Sequence, residues 1–262
     1  PAGPLIEGRA SVRIPRRRLP HWNAAAISRA MKRFYKNAVA ERRPDGTAIV
    51  LLDGRPLKTP AKTEMVLASF PLAEAIAAEW QEQQNEIKPL QMPLTRLVAT
   101  AIDRVAQDPS GAISEIVRYG DTDLLSYRAE APQELVARQA EVWQPLLDWF
   151  RDRYDIQFQV TQGVVAVPQA ETLKPRLERI CTGHDPMTLT ALHAITTTTG
   201  SVVIGLAMLE GLIDADAAHR AGLLDELYQA ELWGEDAEAA ARRASLQADL
   251  AAVARFLSLL RA

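Results

Sequence analysis

Two apolar stripes at helical spacing, separated by a proline-containing connection between Ser69 and Val105, set the tightest limit on how this chain folds. Leu72, Ala75, Ile76 and Trp80 lie on one face of a first helix, and Leu94, Leu97, Val98, Ala101, Ile102 and Val105 on one face of a second. Pro71 and Pro93 stand near the first turns, where a missing backbone N–H costs little. Glu79 alone interrupts the first stripe. A carboxylate there could be an acid of raised pKa, and pairing with a base at the stripe's edge is the expected reading. Neither helix can bury its stripe alone, so strands before them and helices after them are expected to supply the cover.

Ahead of the helices the pattern is strand-like. Residues 35–41 lead into Pro44-Asp45-Gly46, a turn, and then into the apolar run 48–52. Asp53-Gly54 is a hairpin signal that sends residues 55–58 back, and Met65-Val66-Leu67 reads as one more short strand. Downstream the pattern is mostly helical. Ser110 is the expected cap of a helix through residue 117, and residues 120–123 read as a turn with acidic caps. Residues 132–153 carry Leu135, Val142, Leu146, Trp149 and Phe150 on one side of a long helix. Residues 156–160 alternate like an exposed strand that 164–167 would pair, and Thr172 is the expected cap of a helix ending at Cys181.

Between Asp185 and Glu210 there is no Asp, Glu, Lys or Arg, a length that would span a bilayer. Four threonines and Gly200 interrupt it without a flanking basic cluster, so two buried helices meeting near Gly200 are the better reading. Asp214 is the expected cap of one helix carrying Leu224, Leu227, Tyr228 and Leu232 and stopping at Gly234, before a last helix opened by Glu235-Asp236. The expectation is an α+β chain. A small β-rich N-terminal domain with covering helices occupies residues 32–118, and a mostly helical domain occupies 119–262. Residues 1–31 form a basic arm outside both.

Charge is unevenly spread. Residues 1–43 hold eleven Lys and Arg against Glu7 and Glu41, a net +9, which leaves −12 on the remainder of a chain whose total is −3. Such an arm suits nucleic acid, an acidic surface or a targeting remnant. It also contains Ile6-Glu7-Gly8-Arg9, a sequence common in protease-cleavable linkers, and Met31 would serve as a native start. An extraneous or disordered arm is the preferred reading, with no nucleic-acid partner.

A search for chemistry finds little. His21, His184, His193 and His219 lack metal-ligand spacing, and no phosphate-loop, dinucleotide or nucleophile-elbow motif is present. His193 reads as a core or helix-interface residue. The single cysteine excludes an intrachain disulfide and falls on an apolar stripe, so core packing is expected for it. Asp121 and Asp123 could work as an acid–base pair with Lys58 nearby, but helix capping is the simpler account of the two aspartates. No catalytic site, cofactor or metal is expected. One non-catalytic feature remains in residues 225–236, where Asp225, Glu226, Tyr228, Glu231, Trp233 and Glu235 mix carboxylates and aromatics around a helix end. Aromatic anchors within a polar rim suit a protein interface, and a surface helix with inward aromatics is an equal alternative from spacing alone.

Several blocks in order resemble a known family. They are Arg33-Phe34-Tyr35-Lys36, residues 53–60 (Asp53-Gly54-Arg55-Pro56-Leu57-Lys58-Thr59-Pro60), Ala78-Glu79-Trp80 with Gln83-Gln84, and Met92-Pro93-Leu94-Thr95. Further along come Asp121-Thr122-Asp123, Tyr127-Arg128, Trp143, Pro145, Trp149, Leu206, Gly211-Leu212-Ile213, Tyr228-Gln229 and Trp233-Gly234. Together they resemble the chaperone family that assists ATP synthase assembly by binding the F1 α subunit (mitochondrial F1 complex assembly factor 2 and its bacterial relatives). The resemblance covers residues 33–257 and implies a soluble α+β chaperone of bacterial cytoplasm or mitochondrial matrix, not an enzyme and not inserted in a membrane. It implies capture of an unassembled α subunit until the β subunit joins it. In that family an acidic position near the Tyr-Gln pair matters, for which Asp225 and Glu226 are the candidates. Trp80, also in a family block, sits on its stripe and suggests a structural role.

Overall fold

The structure is a computed structural model that describes residues 31–163 and 165–262. The basic arm therefore lies outside the described residues up to position 30. Short strands precede the helices: β1 (Met31–Lys32), β2 (Ala38–Arg42), β3 (Ala48–Leu52), β4 (Arg55–Pro56) and β5 (Val66–Leu67). β3 is central. It pairs antiparallel with β2 in the register Ala38↔Leu52 to Arg42↔Ala48, and on its other edge with β4 and β5. Its apolar run is buried at Ala48, Ile49, Val50 and Leu52. Asp53 and Gly54 both take positive φ, 46° and 79°, as a two-residue hairpin requires.

α1 (Phe70–Gln81) packs its stripe on β2 and β3, capped by the Ser69 hydroxyl. β6 (Glu86–Ile87) pairs with β1, and α2 (Pro93–Thr100) continues through a wide turn at Ala101–Val105. Blocks far apart in sequence meet here. Arg33 Nε donates to Tyr35 O at 3.0 Å and its Nη2 to Lys36 O at 2.7 Å, while Tyr35 Oη donates to Trp80 O at 2.6 Å. Trp80 is buried, as its place on the stripe suggested.

Glu79 corrects the expectation of a basic partner. Its Oε1 accepts from Leu94 N–H at 2.8 Å, and its Oε2 accepts from Thr95 N–H at 2.8 Å and Thr95 Oγ1–H at 2.7 Å. A carboxylate of α1 thus caps α2, bonded to the positive end of a helix, while the one cation that acts on it, Arg255, makes no close ion pair with it. Burial outweighs those donors and holds its pKa above the usual glutamate value.

The helical part comprises α3 (Pro109–Tyr119), α4 (Gln133–Tyr154), α5 (Leu173–Thr182), α6 (Pro186–Thr199), α7 (Val202–Leu209), α8 (Ala215–Gly222), α9 (Leu224–Trp233) and α10 (Ala237–Arg261). The uncharged run is the pair α6 and α7 turning at Gly200, φ 77°. All of α7 is buried, and among the described residues no helix is long and apolar enough to cross a membrane. The close approach of α6 and α7 needs glycine, since a Cβ on Gly205 would lie 2.5 Å from Thr196 Oγ1. α10 packs on α6 and α8 and reaches α1 and α2, where Ser69 Oγ donates to Leu259 O at 2.5 Å. Buried side chains form one cluster running from Tyr35 to Leu257.

Several local expectations are corrected. Asp108, not Ser110, caps α3, because Pro109 takes the first helical position. Thr172 stands before α5 but makes no capping bond. Residues 156–160 form no strand: Ile156 and Phe158 are buried, and the Gln169 side chain supplies the missing partner by accepting from Gln159 N–H at 2.9 Å and donating to Gln159 O at 3.0 Å. Of their expected partner, residue 164 lies outside the described residues and 165–167 form no strand, so the expected hairpin is absent; the strand nearby, β8 (Thr161–Gln162), instead runs parallel to β7 (Tyr127–Arg128). The single helix expected after Asp214 is two, broken at Leu223 (φ −117°). Gly222 packs so closely on α6 that a Cβ there would sit 3.0 Å from Thr199 Cβ.

Candidate partner-binding site

Asp121 and Asp123 do not form an acid–base pair. Asp121 meets Lys174 Nζ at 2.8 Å. Asp123 is fully buried, its Oδ1 accepting from Leu125 N–H at 3.0 Å and its Oδ2 from Val202 N–H at 2.8 Å and Val203 N–H at 3.3 Å. It caps a short turn and α7 at once. Burial drives its pKa up to about 6, against the pull of these donors. Lys58 lies exposed at a bridge between its own backbone and that of Glu64. His193 is buried between helices with Nε2 at 2.6 Å from Glu115 Oε2, and desolvation holds its pKa below the usual value. Cys181 is buried, which pushes its thiol up to about 12 and leaves it protonated. Among the described residues no group of His, Cys, Asp or Glu is arranged to hold a metal.

The α9 segment is arranged differently. Tyr228 turns inward and is buried, with the Arg138 guanidinium 5.1 Å above its ring. Arg138, on α4, reaches Glu231 at 2.5 Å and Glu134 at 2.9 Å. Glu226 pairs with Arg242, and Glu235 with Arg243 at 3.0 Å, both arginines on α10. Asp225 has no such base: Gln139 Nε2 donates to its Oδ1 at 2.8 Å. Burial raises its pKa, and Glu226 beside it adds to the effect. At the far end Leu232 and Trp233 face outward, Trp233 78% exposed, before Gly234 (φ 84°) ends the helix. Of the six expected residues, Glu226, Glu231 and Glu235 are thus each paired with an arginine of α4 or α10, Asp225 is held by an amide, Trp233 is exposed, and Tyr228 is buried as packing. Sequence reasoning missed Arg138, Gln139, Arg242 and Arg243, which come from other helices and carry no motif.

This geometry stands beside strong likenesses to known proteins. The family described as ATP12 chaperone protein matches residues 32–151. Mitochondrial atp12 of Schizosaccharomyces pombe is 28% identical over 226 residues, covering 79% of this chain and 76% of that protein. Mitochondrial ATP12 of Saccharomyces cerevisiae is 27% identical over 253 residues, covering 80% and 78%. The crystal structure of Atp12 from Paracoccus denitrificans superposes with a TM-score of 0.81 at 43% identity, covering 88% of this chain and 98% of that one.

Proposed function

This chain belongs to the ATP12 chaperone family, and from that premise we propose that it binds the unassembled α subunit of F1-ATPase and keeps it from aggregating until the β subunit joins. Subunit interfaces exposed before assembly are large apolar patches, and shielding them needs a matching surface and no chemistry. The proposed contact surface is the α9 segment, with Asp225, Glu226, Glu231 and Glu235 around the exposed Leu232 and Trp233, and Tyr228 holding the helix from below. The protein acts stoichiometrically, without a catalytic step or a bound cofactor, in a bacterial cytoplasm or mitochondrial matrix. The observation that carries this reading is the 43% identity with Paracoccus Atp12 across 98% of that chain.

Co-expression with separate α and β subunits tests it. The α subunit is expected to co-purify and the β subunit to stay behind. Equal recovery of both, or of neither, would contradict the assignment.

A further inference from the structure

Only one face of the N-terminal sheet is covered among the described residues. Side chains along a strand alternate between the two faces, and cross-strand partners share one. Ala38, Ala48, Val50, Leu52 and Leu67 form the face that α1 covers, and all are buried. Register builds the other face. Val39, Leu51 and Pro56 make one cross-strand row, and Glu41, Ile49 and Val66 the next. Val39 is 52% exposed and Val66 36%, Pro56 is exposed, and Leu51 is half-buried.

A sheet face left to water normally carries polar side chains at alternate positions. Here Glu41 is the one polar residue in the two outer rows. β3 reads Ala48-Ile49-Val50-Leu51-Leu52, the continuous apolar run of a strand covered on both sides. Among the described residues no helix besides α1 packs closely on β2 or β3, so one of the two covers is missing. Apolar residues exposed singly need no explanation, but these adjoin one another.

Charge indicates what the second cover carries. Residues 31–68 hold eight Lys and Arg against four Asp and Glu, a net +4, whereas residues 225–236 hold five acids and no base. Lys58 follows Pro56 on the same face, and Lys62 lies in the turn beyond it. Both are exposed, and neither meets a carboxylate among the described residues, since Glu64 is taken by Arg43. Glu41 lies at the opposite, β2 edge. The rest of the block 53–60 is used by the fold. Asp53 and Gly54 make the hairpin, Leu57 is buried, and Thr59 Oγ1 donates to Asp103 Oδ1 at 2.5 Å. Pro56 and Lys58 have no such use.

We propose that the outer face of this sheet is a second contact surface for the client, seating an apolar segment on Val39, Leu51, Pro56 and Val66 with its Asp or Glu side chains towards Lys58 and Lys62. That the client is the F1 α subunit rests on the reading above. Opposite in charge to α9, this face selects a different segment of the same partner. A nucleic acid would find no aromatic side chain here on which to stack a base. A lipid surface would find only short or half-buried apolar side chains, not the bulky ones that enter a bilayer interface.

The full chain tests this by footprinting. Cys181 is buried and protonated, so a cysteine placed at the surface is the one that maleimide labels. Val39→Cys reads the outer face, Val66→Cys reads it again should the first variant melt early, and Glu74→Cys reads the exposed side of α1. In the complex with purified F1 α, labelling at Val39→Cys is expected to slow about fivefold or more, and at Glu74→Cys by less than about twofold. Lys58→Glu combined with Lys62→Glu is expected to melt within about 2 °C of wild type and to weaken capture of α about fivefold at low salt, with the difference shrinking at high salt. Equal labelling of Val39→Cys in the free and bound states, or capture by the double variant within about twofold of wild type at low salt, would overturn the second surface and leave the client assignment standing. Failure of the wild type to capture α would overturn both. Phosphatidylglycerol vesicles that bind the wild type and not the double variant would give the face to lipid and overturn the proposal as well.

Discussion

The interior and the α9 face close their carboxylates in opposite ways. Glu79 and Asp123 are buried, and each is answered by backbone N–H groups of a helix that another segment supplies. These acids join pieces of the fold and have nothing left for a partner. On and just after α9, Glu226, Glu231 and Glu235 meet arginines of α4 and α10, while Asp225 meets only an amide. A carboxylate capping a buried helix start is structure. One held only by an amide is what the proposed contact surface would offer a partner.

The largest expected effect lies in the interior. Asp123→Asn sets an amide NH2 against buried N–H groups and should cost about 2–4 kcal/mol in denaturant unfolding. A loss under about 0.5 kcal/mol would erase the contrast, since surface substitutions do no more than that. The same residue carries a pH signature. Its folded pKa of about 6 lies above the ordinary aspartate value, so its contribution is complete below that ordinary value and is lost as pH rises through about 6. The stability gap between wild type and Asp123→Asn should therefore narrow from pH of about 4 to about 7, and a gap widening over that range would reverse the assignment.

Glu79→Gln comes next, at about 1–2 kcal/mol, because one amide oxygen still caps α2. A smaller loss would show α2 to be held by its apolar stripe alone. On α9, Trp233→Ala should leave the melting temperature unchanged and weaken capture of α by about 1–2 kcal/mol, read by equilibrium binding. Loss of folding in that variant would move α9 to the structural side. Smallest of all, Glu231→Gln should shift stability by less than about 0.5 kcal/mol, since an exposed pair with Arg138 is worth little.

Much of the frame was legible in the sequence. The stripes of α1 and α2, the Asp53-Gly54 hairpin, the turn at Gly200 and the stop at Gly234 follow from periodicity and from glycine's access to positive φ. What was not legible depends on donors without a side-chain signature. The partner of Glu79 is a set of backbone N–H groups, and the partner of residues 156–160 is a glutamine amide imitating a strand. At the break by Leu223, Gly222 fits against Thr199, a contact between helices more than twenty residues apart that carries no sequence signature. The candidate site was legible only on its own helix. The arginines and the glutamine that meet its acids come from α4 and α10.

Light scattering from the isolated F1 α subunit diluted out of denaturant, with and without this protein at equal molar amount, tests the shielding role most directly. The account predicts that scattering is suppressed near one-to-one stoichiometry and that the α subunit remains competent to join β. An α subunit that clumps at the same rate in both samples would contradict it.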